Sequence, residues 1–467
     1  MGMKMKNLTL HNLAEACRGR LFNAEHALCE LEVEEIVTDS RKVVKNSLFI
    51  AIRGERVDGH DFIDGCYEAG AICVISEKEL QTGKPYIQVE RSLQAVKDIA
   101  EFYLKGLNCK VVGITGSVGK TSTKEMIASV LGEKYRVLKT EGNFNNELGL
   151  PLTVFRIREE HEIAVLEMGI SDFGEMSRLA KIARPDTCVI TNIGWIYSFS
   201  IFILKSRDGI LQAKTEMFDY LKEDAAIILN GDDDKLSAIE DYNGITPVFY
   251  GIENKEHLDV YADSVTPVGI RGIRCRIRDG EHMKMDIMIR IPGRHMVYNA
   301  LAAACVGRCL GLTQEEIRRG IEKILPVSGR NHIISVDGIT LIDDCYNANP
   351  VSMKASVDVL SYAETRKVAI LGDMFELGSK EAEFHSELGD YIGTQGIDVV
   401  VLAGSRMKYA YLKLHETNEN YNLYYFEQTD DLIQELHQII RQGDTVLVKA
   451  SHGMNFIKII DYFTKKS

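Results

Sequence analysis

The chain has 467 residues, enough for about three domains at roughly 150 residues each, and it buries a large core without disulfide or metal staples. Hydrophobic residues make up 45% and charged residues 26%, the balance of a globular protein. Its 55 basic and 68 acidic side chains leave a formal net charge of −13, which argues against nucleic acid as a main partner because phosphate backbones need a basic face.

The opening residues are broken by Lys4, Lys6 and Glu15, so no secretory segment is expected. The ten cysteines are scattered, with no CxxC pair and no zinc spacing, which points to a reducing, cytoplasmic compartment. Short apolar runs at 47–52 and 71–75 read as strands. Residues 92–105 read as an amphipathic helix with Leu93, Val96, Ile99 and Leu104 on one face. The pattern changes at Lys110. Residues 110–115 predict a strand that runs into a Gly-rich turn and a helix over 120–132. Strands follow at 163–166, 187–190 and 225–229, with helical patterns between most of them, so this unit reads as a mostly parallel sheet covered on both faces. Strands at 368–371, 399–402 and 445–448 predict a second, smaller doubly wound sheet. The longest apolar stretch, 193–204, falls short of the roughly 20 residues of a spanning helix, so no membrane span is expected.

The turn reads Thr115-Gly-Ser-Val-Gly-Lys-Thr-Ser122. Gly116 and Gly119 let the backbone of Ser117 and Val118 fold around an anion, and the following helix adds its positive end. Lys120 supplies a charge for the β and γ phosphates and Thr121 a hydroxyl for Mg²⁺, with Ser122 completing the loop. Ile114 stands where the strict P-loop pattern has its first glycine. Glu167 closes the strand after Leu166, at the carboxyl end where parallel sheets bind ligands.

That loop, followed by Glu141-Gly-Asn-Phe-Asn-Asn-Glu-Leu-Gly-Leu-Pro-Leu152, resembles the Mur ligases, ATP-dependent enzymes that extend the UDP-muramyl peptide precursor of bacterial peptidoglycan. Three further stretches resemble the family member that adds D-alanyl-D-alanine to UDP-N-acetylmuramoyl-tripeptide. They are Asp39-Ser-Arg41 with Gly54-Glu-Arg-Val-Asp-Gly-His-Asp-Phe62, Asp343-Asp-Cys-Tyr-Asn-Ala-Asn-Pro350, and Leu371-Gly-Asp-Met-Phe-Glu-Leu-Gly378, the last being the most specific. The resemblance implies an α/β fold of three domains. Residues 1–108 would bind the UDP precursor, 109–325 would form the central P-loop-type ligase domain, and 326–467 a Rossmann-like domain that closes on the nucleotide and binds the dipeptide.

It also implies roles for single residues. Lys120, Glu167 and Lys214 would be catalytic. Mg²⁺ would be held by Thr121, Glu167 and a carbamylated Lys214. Asn299, Arg330, Asp344 and Asn347 would join the loop in holding ATP. Ser40, Arg41, Asp58 and His60 would bind the uridine diphosphate part, and Asn143, Asn145 and Asn146 the muramyl peptide. Lys449 and Ser451 resemble a Lys-x-Ser signature, with His452 where an arginine is more usual. The family's second-metal histidine should follow Thr191-Asn-Ile-Gly194, but residues 195–204 contain none, which implies a weak or absent second metal. A monomer with no nucleic-acid partner is expected. Alternatives are another ligase of the superfamily, either a tripeptide-forming muramyl ligase or a folylpolyglutamate synthase, and a nucleotide- or precursor-binding homologue without turnover.

Overall fold

The computed structural model describes residues 5–194, 204, 206–280, 282–417 and 422–465. Among them lie three β-sheets, each with apolar clusters on both faces. The first has the strand order Arg20–Phe22, Tyr86–Gln88, Ala71–Ser76, Ser47–Ile50, Glu35–Val37, parallel except for its first pair. The run Ser47–Ile50 is buried at every position, as a strand covered on both faces must be. The helix Ser92–Lys105 buries Val96, Ile99 and Leu104 against it, while Leu93 is only half-buried.

The central sheet has nine strands. Seven are parallel: Val137–Lys139, Ile163–Glu167, Lys110–Thr115, Thr187–Ile190, Ala226–Asn230, Val248–Gly251 and Val260–Pro267. Two antiparallel strands, Ile273–Asp279 and Met283–Ile289, extend its edge. Their alternation of buried Met283, Met285, Ile287 and Ile289 with outward side chains marks a one-sided strand. The sequence reading above assigned these strands no element.

The third sheet is ordered His332–Val336, Ile339–Asp343, Thr445–Lys449, Lys367–Gly372, Val399–Ala403, Asn422–Phe426, and only its first pair is antiparallel. Because Thr445–Lys449 lies between two strands that precede it in the chain, the carboxyl ends of three neighbouring parallel strands bring Asp344, Asp373 and Ser451 to one edge. Such edges are where open α/β sheets take ligands.

The first and central units share one continuous cluster running from Met5, Ile50 and Ile99 to Phe155, Leu166 and Leu229. Polar contacts pin the seam: the Tyr103 hydroxyl donates to the Ile157 carbonyl at 2.6 Å, Arg158 Nη2 lies 2.9 Å from Glu35, and Lys97 lies 3.0 Å from Glu147. The Ile157 carbonyl also accepts from Arg158 Nη1 at 3.1 Å, so loss of the buried Tyr103 bond leaves it one donor. Tyr103→Phe is expected to lower stability by about 0.5–1.5 kcal/mol, read as a lower urea midpoint at unchanged slope.

Candidate active site

Local geometry builds the phosphate loop. Gly116 has φ 150° and Gly119 φ 85°, the left-handed side of backbone space. A Cβ at Gly116 would lie 1.9 Å from Thr191 Oγ1, so only glycine fits there. Neighbouring strand ends hold the loop. Val118 N donates to Asn192 Oδ1 at 3.0 Å, Ser117 N to the Asn192 carbonyl at 3.0 Å, and the Val118 carbonyl accepts from Thr191 Oγ1 at 2.7 Å. Lys120 opens the helix Lys120–Leu131, and its Nζ donates to the Gly116 carbonyl at 2.8 Å. Burial, with Arg330 nearby, pushes its pKa below the usual lysine value, against the pull of Glu167.

Glu167 is 2% exposed. Its Oε1 accepts from Asn145 Nδ2 at 2.8 Å, while Oε2 is buried without a hydrogen-bond partner, the nearest cation being Lys124 Nζ at 3.9 Å. Lys214, on the helix Arg207–Thr215, is 1% exposed. Its Nζ has no hydrogen bond or ion pair among the described residues. Burial, then the charge of Lys120, pushes its pKa well below the usual lysine value.

The third unit supplies the opposite wall. Arg330 Nη2 donates to Thr121 Oγ1 at 3.2 Å and its guanidinium lies 4.4 Å from the centre of the Tyr346 ring. The Asp344 carboxylate is fully engaged, accepting from Lys449 Nζ at 2.6 Å, Ser356 Oγ at 2.5 Å and Asn331 N at 3.1 Å. Asn347 Oδ1 accepts from Ala348 N at 2.9 Å. Asn299, 6% exposed, accepts from Thr123 Oγ1 at 3.0 Å.

These residues bound a cavity of about 680 Å³. Of the residues singled out from sequence, it gathers Ser117 to Ser122, Asn143, Asn145, Glu167, Asn299, Arg330, Asp344 and Asn347. Gly116 and Lys214 lie outside its lining, as does Asn146, whose Oδ1 caps the helix Gly149–Val154 by accepting from Gly149 N at 2.8 Å. The four residues of the first unit also lie apart. Ser40 and Arg41 sit in the turn Ser40–Lys42, where Asp39 accepts from Arg41 N, Nε and Nη2. Asp58 caps Gly59–Phe62 and pairs with Lys78 at 2.9 Å. The His60 ring meets Asp58 at 2.6 Å, and its Nε2 accepts from Glu77 N at 3.0 Å.

Among the lining residues that escaped the sequence reading are Asn192, Asn230, Asp233 and Asn331. The first three follow or end buried strands, a position that signals a ligand-facing edge. Asn331 carried no such signal.

Known proteins share this arrangement. The Mur ligase middle domain matches residues 114–307, the Mur ligase glutamate ligase domain 329–452, and the Mur ligase family catalytic domain 32–104. UDP-N-acetylmuramoyl-tripeptide–D-alanyl-D-alanine ligase of Bacillus subtilis (strain 168) is 37% identical over 461 residues, covering 97% of each chain. A crystal structure of MurF from Acinetobacter baumannii superposes with a TM-score of 0.88 at 28% identity over 100% of both chains. MurF ligase from Thermotoga maritima in complex with ADP superposes with a TM-score of 0.81 at 29% identity, covering 92% of this chain and 97% of that one. Gly116→Ala is expected to abolish the rise in Tm produced by ADP, because the new methyl displaces the loop from Thr191.

Proposed function

The chain belongs to the Mur ligase family, and from that premise we propose that it joins D-alanyl-D-alanine to UDP-N-acetylmuramoyl-tripeptide, converting ATP to ADP and phosphate in peptidoglycan precursor synthesis. The observation that carries this reading is the cavity in which the phosphate loop faces the carboxyl edge of the third sheet beside the sealed carboxylate of Glu167.

Water opposes amide formation from a carboxylate, so the carboxylate must first be activated. One oxygen of the tripeptide carboxylate attacks the γ-phosphorus, the bond to ADP breaks, and an acyl phosphate forms. The dipeptide amine then attacks the acyl carbon, phosphate leaves with the electrons of the C–O bond, and nitrogen loses its proton. The protein's part is positioning and charge neutralisation. The loop N–H groups and Lys120 hold the phosphates, and Arg330 adds a planar cation from the third unit. Asn143 and Asn145 offer amides to the muramyl peptide, and the edge around Ser40, Arg41, Asp58 and His60 serves the uridine diphosphate.

The residues fit a divalent cation: Glu167 carries a buried oxygen without a partner, and the Thr121 hydroxyl lines the same cavity. Mg²⁺ held by them supplies charge neutralisation for the phosphates. Lys214 fits a carbamate, since a buried amine with a lowered pKa is the uncharged form that adds carbon dioxide. The histidine-free stretch 195–203 lies outside the described residues, and its composition argues for a weak second metal site. That composition also favours a second reading, a homologue that binds nucleotide and precursor without turnover. The working compartment is read as the cytoplasm, consistent with ten free cysteines, and the working state as a monomer. No described helix is long and apolar enough to cross a membrane.

Phosphate release that requires UDP-muramyl-tripeptide, D-alanyl-D-alanine and Mg-ATP together is the expected result. Binding of nucleotide and precursor with no release would favour the second reading. Lys120→Ala is expected to lower turnover by at least about 10²-fold with an unchanged urea midpoint. In ¹³C-bicarbonate, a carbamate resonance is expected from the wild-type protein and absent from Lys214→Arg; its absence from both would refute the carbamate.

A further inference from the structure

A second cavity, of about 550 Å³, adjoins the first and shares Ser117 and Val118 with it. Phe375, Glu376 and Leu377 form its far wall. That wall belongs to the Leu371–Gly378 stretch singled out in the sequence, which the phosphate-transfer chemistry leaves unused. It is not a relaxed turn. Glu376 has φ 63°, a left-handed conformation unfavourable to a residue with a long side chain. Such strain persists only where the surroundings impose it.

Side chains of other elements impose it by taking two successive amides. Phe375 N donates to Ser451 Oγ at 2.8 Å, and Met374 N donates to His385 Nε2 at 3.1 Å. His385 lies on the helix Glu381–Gly393 and is fully buried, with its Nδ1 2.6 Å from the Glu381 carbonyl oxygen. These two partners fix the tautomer. A carbonyl only accepts, so Nδ1 carries the proton; an amide N–H only donates, so Nε2 offers its lone pair. The charged ring, a donor at both nitrogens, would turn a second N–H against that of Met374. Three charged side chains face the ring: Asp373, Glu381 and Arg406. They are themselves tied down. The Asp373 carboxylate accepts from Arg406 N at 3.1 Å and Met407 N at 2.8 Å, and Arg406 Nε lies 2.7 Å from Glu381 Oε2. From the two helices packed on this one, Lys354, Asp358 and Lys413 reach Glu387, Tyr391 and Asp390 instead. Burial holds the His385 pKa below the ordinary histidine value, against the pull of Glu381 and Asp373.

We propose that His385 is a positioning residue for the ligase reaction: as the neutral ring protonated at Nδ1 it pins the Met374 amide and so shapes the cavity wall from Phe375 to Leu377. It touches no reactant, because the ring lies behind the wall and lines neither cavity. The inference rests on the ligase reading, under which the third unit takes the dipeptide. The neutral ring is the form that folding favours. The pin is therefore present above the ordinary histidine value of about 6.5 and lost as pH falls below it. The phosphate loop, held by Asn192 and Thr191, keeps its shape through that change.

The first measurement is a long-range ¹H–¹⁵N spectrum of protein labelled at histidine, with the His385 signals assigned by their loss from His385→Gln. At neutral pH they are expected to show a protonated Nδ1 and a bare Nε2; the other tautomer or a charged ring overturns the assignment. His385→Phe keeps the bulk of the ring and removes the acceptor. It is expected to raise KM for D-alanyl-D-alanine about tenfold and to leave KM for ATP within about twofold. His385→Gln offers an amide oxygen to the Met374 N–H and does not titrate. It is expected to hold KM for the dipeptide within about threefold of wild type at neutral pH. In acid, KM for the dipeptide should rise more steeply in the wild-type protein than in His385→Gln; protonation of the dipeptide amine is common to both and cancels in their ratio. An unchanged KM in His385→Phe, an equal rise in KM for ATP and dipeptide, or identical acid limbs in wild type and His385→Gln overturns the assignment. If His385→Phe melts early, the tautomer and the acid limbs decide alone. Wild-type protein that releases no phosphate with the dipeptide overturns the ligase reading instead, and this inference with it.

Discussion

The site depends on a carboxylate kept from water. Glu167 ends a fully buried strand, and one of its oxygens has no hydrogen-bond partner, an arrangement that costs free energy unless a cation answers it. Cations ring it without closing on it. Lys124, itself 1% exposed, stands 3.9 Å away and is drawn toward Glu125 at 3.2 Å, which in turn pairs with Lys139. Lys120 is tied to the Gly116 carbonyl instead. A carboxylate satisfied by a close lysine would have no need of a metal. Glu167 is held in place on one side by Asn145 and left short of charge on the other.

Two sheets meet at this point because each brings its carboxyl edge to the same cavity. The central sheet sends the phosphate loop, Glu167 and Asn192 from adjacent strand ends. The third sheet sends Asp344 and Lys449 from its own, and Arg330 from the segment just before its first strand. The Arg330–Thr121 contact is the bond that spans them at the loop itself. It is a single hydrogen bond to a hydroxyl rather than an ion pair, and a second spans the same cavity where Asn331 Nδ2 meets His295 Nε2 at 3.2 Å. The first unit is fixed to the central one by a shared apolar cluster.

Much of this was legible in the sequence where backbone chemistry leaves one solution. Gly116 and Gly119 announce the loop because a Cβ at Gly116 would meet Thr191 and Gly119 takes a φ of 85°, and the runs Lys110–Thr115, Thr187–Ile190 and Val399–Ala403 announce buried strands because nearly every position is apolar or small. The edge hairpin went unread although its alternation was present, because the surrounding pattern was that of alternating strands and helices. Asn331 was illegible for a different reason: its place in the cavity depends on Asp344 holding its N–H and His295 meeting its amide at 3.2 Å, contacts that exist only after folding.

What sorts the polar residues here is whether their atoms are already committed. Asp344 and His60 look from sequence like ligand-binding groups, yet Asp344 braces its loop with three partners and both ring nitrogens of His60 are engaged. Their contribution to a ligand passes through the loop shapes they hold. Glu167, Lys214 and Glu376 are the opposite: each carries a charge-bearing atom that the described residues leave without a hydrogen-bond partner, in spite of burial for the first two and a strained backbone for the third. A folded chain tolerates such costs where a ligand or a chemical modification completes the set. Glu167 meets that condition inside the phosphate-loop cavity, and Lys214 meets it outside that cavity's lining.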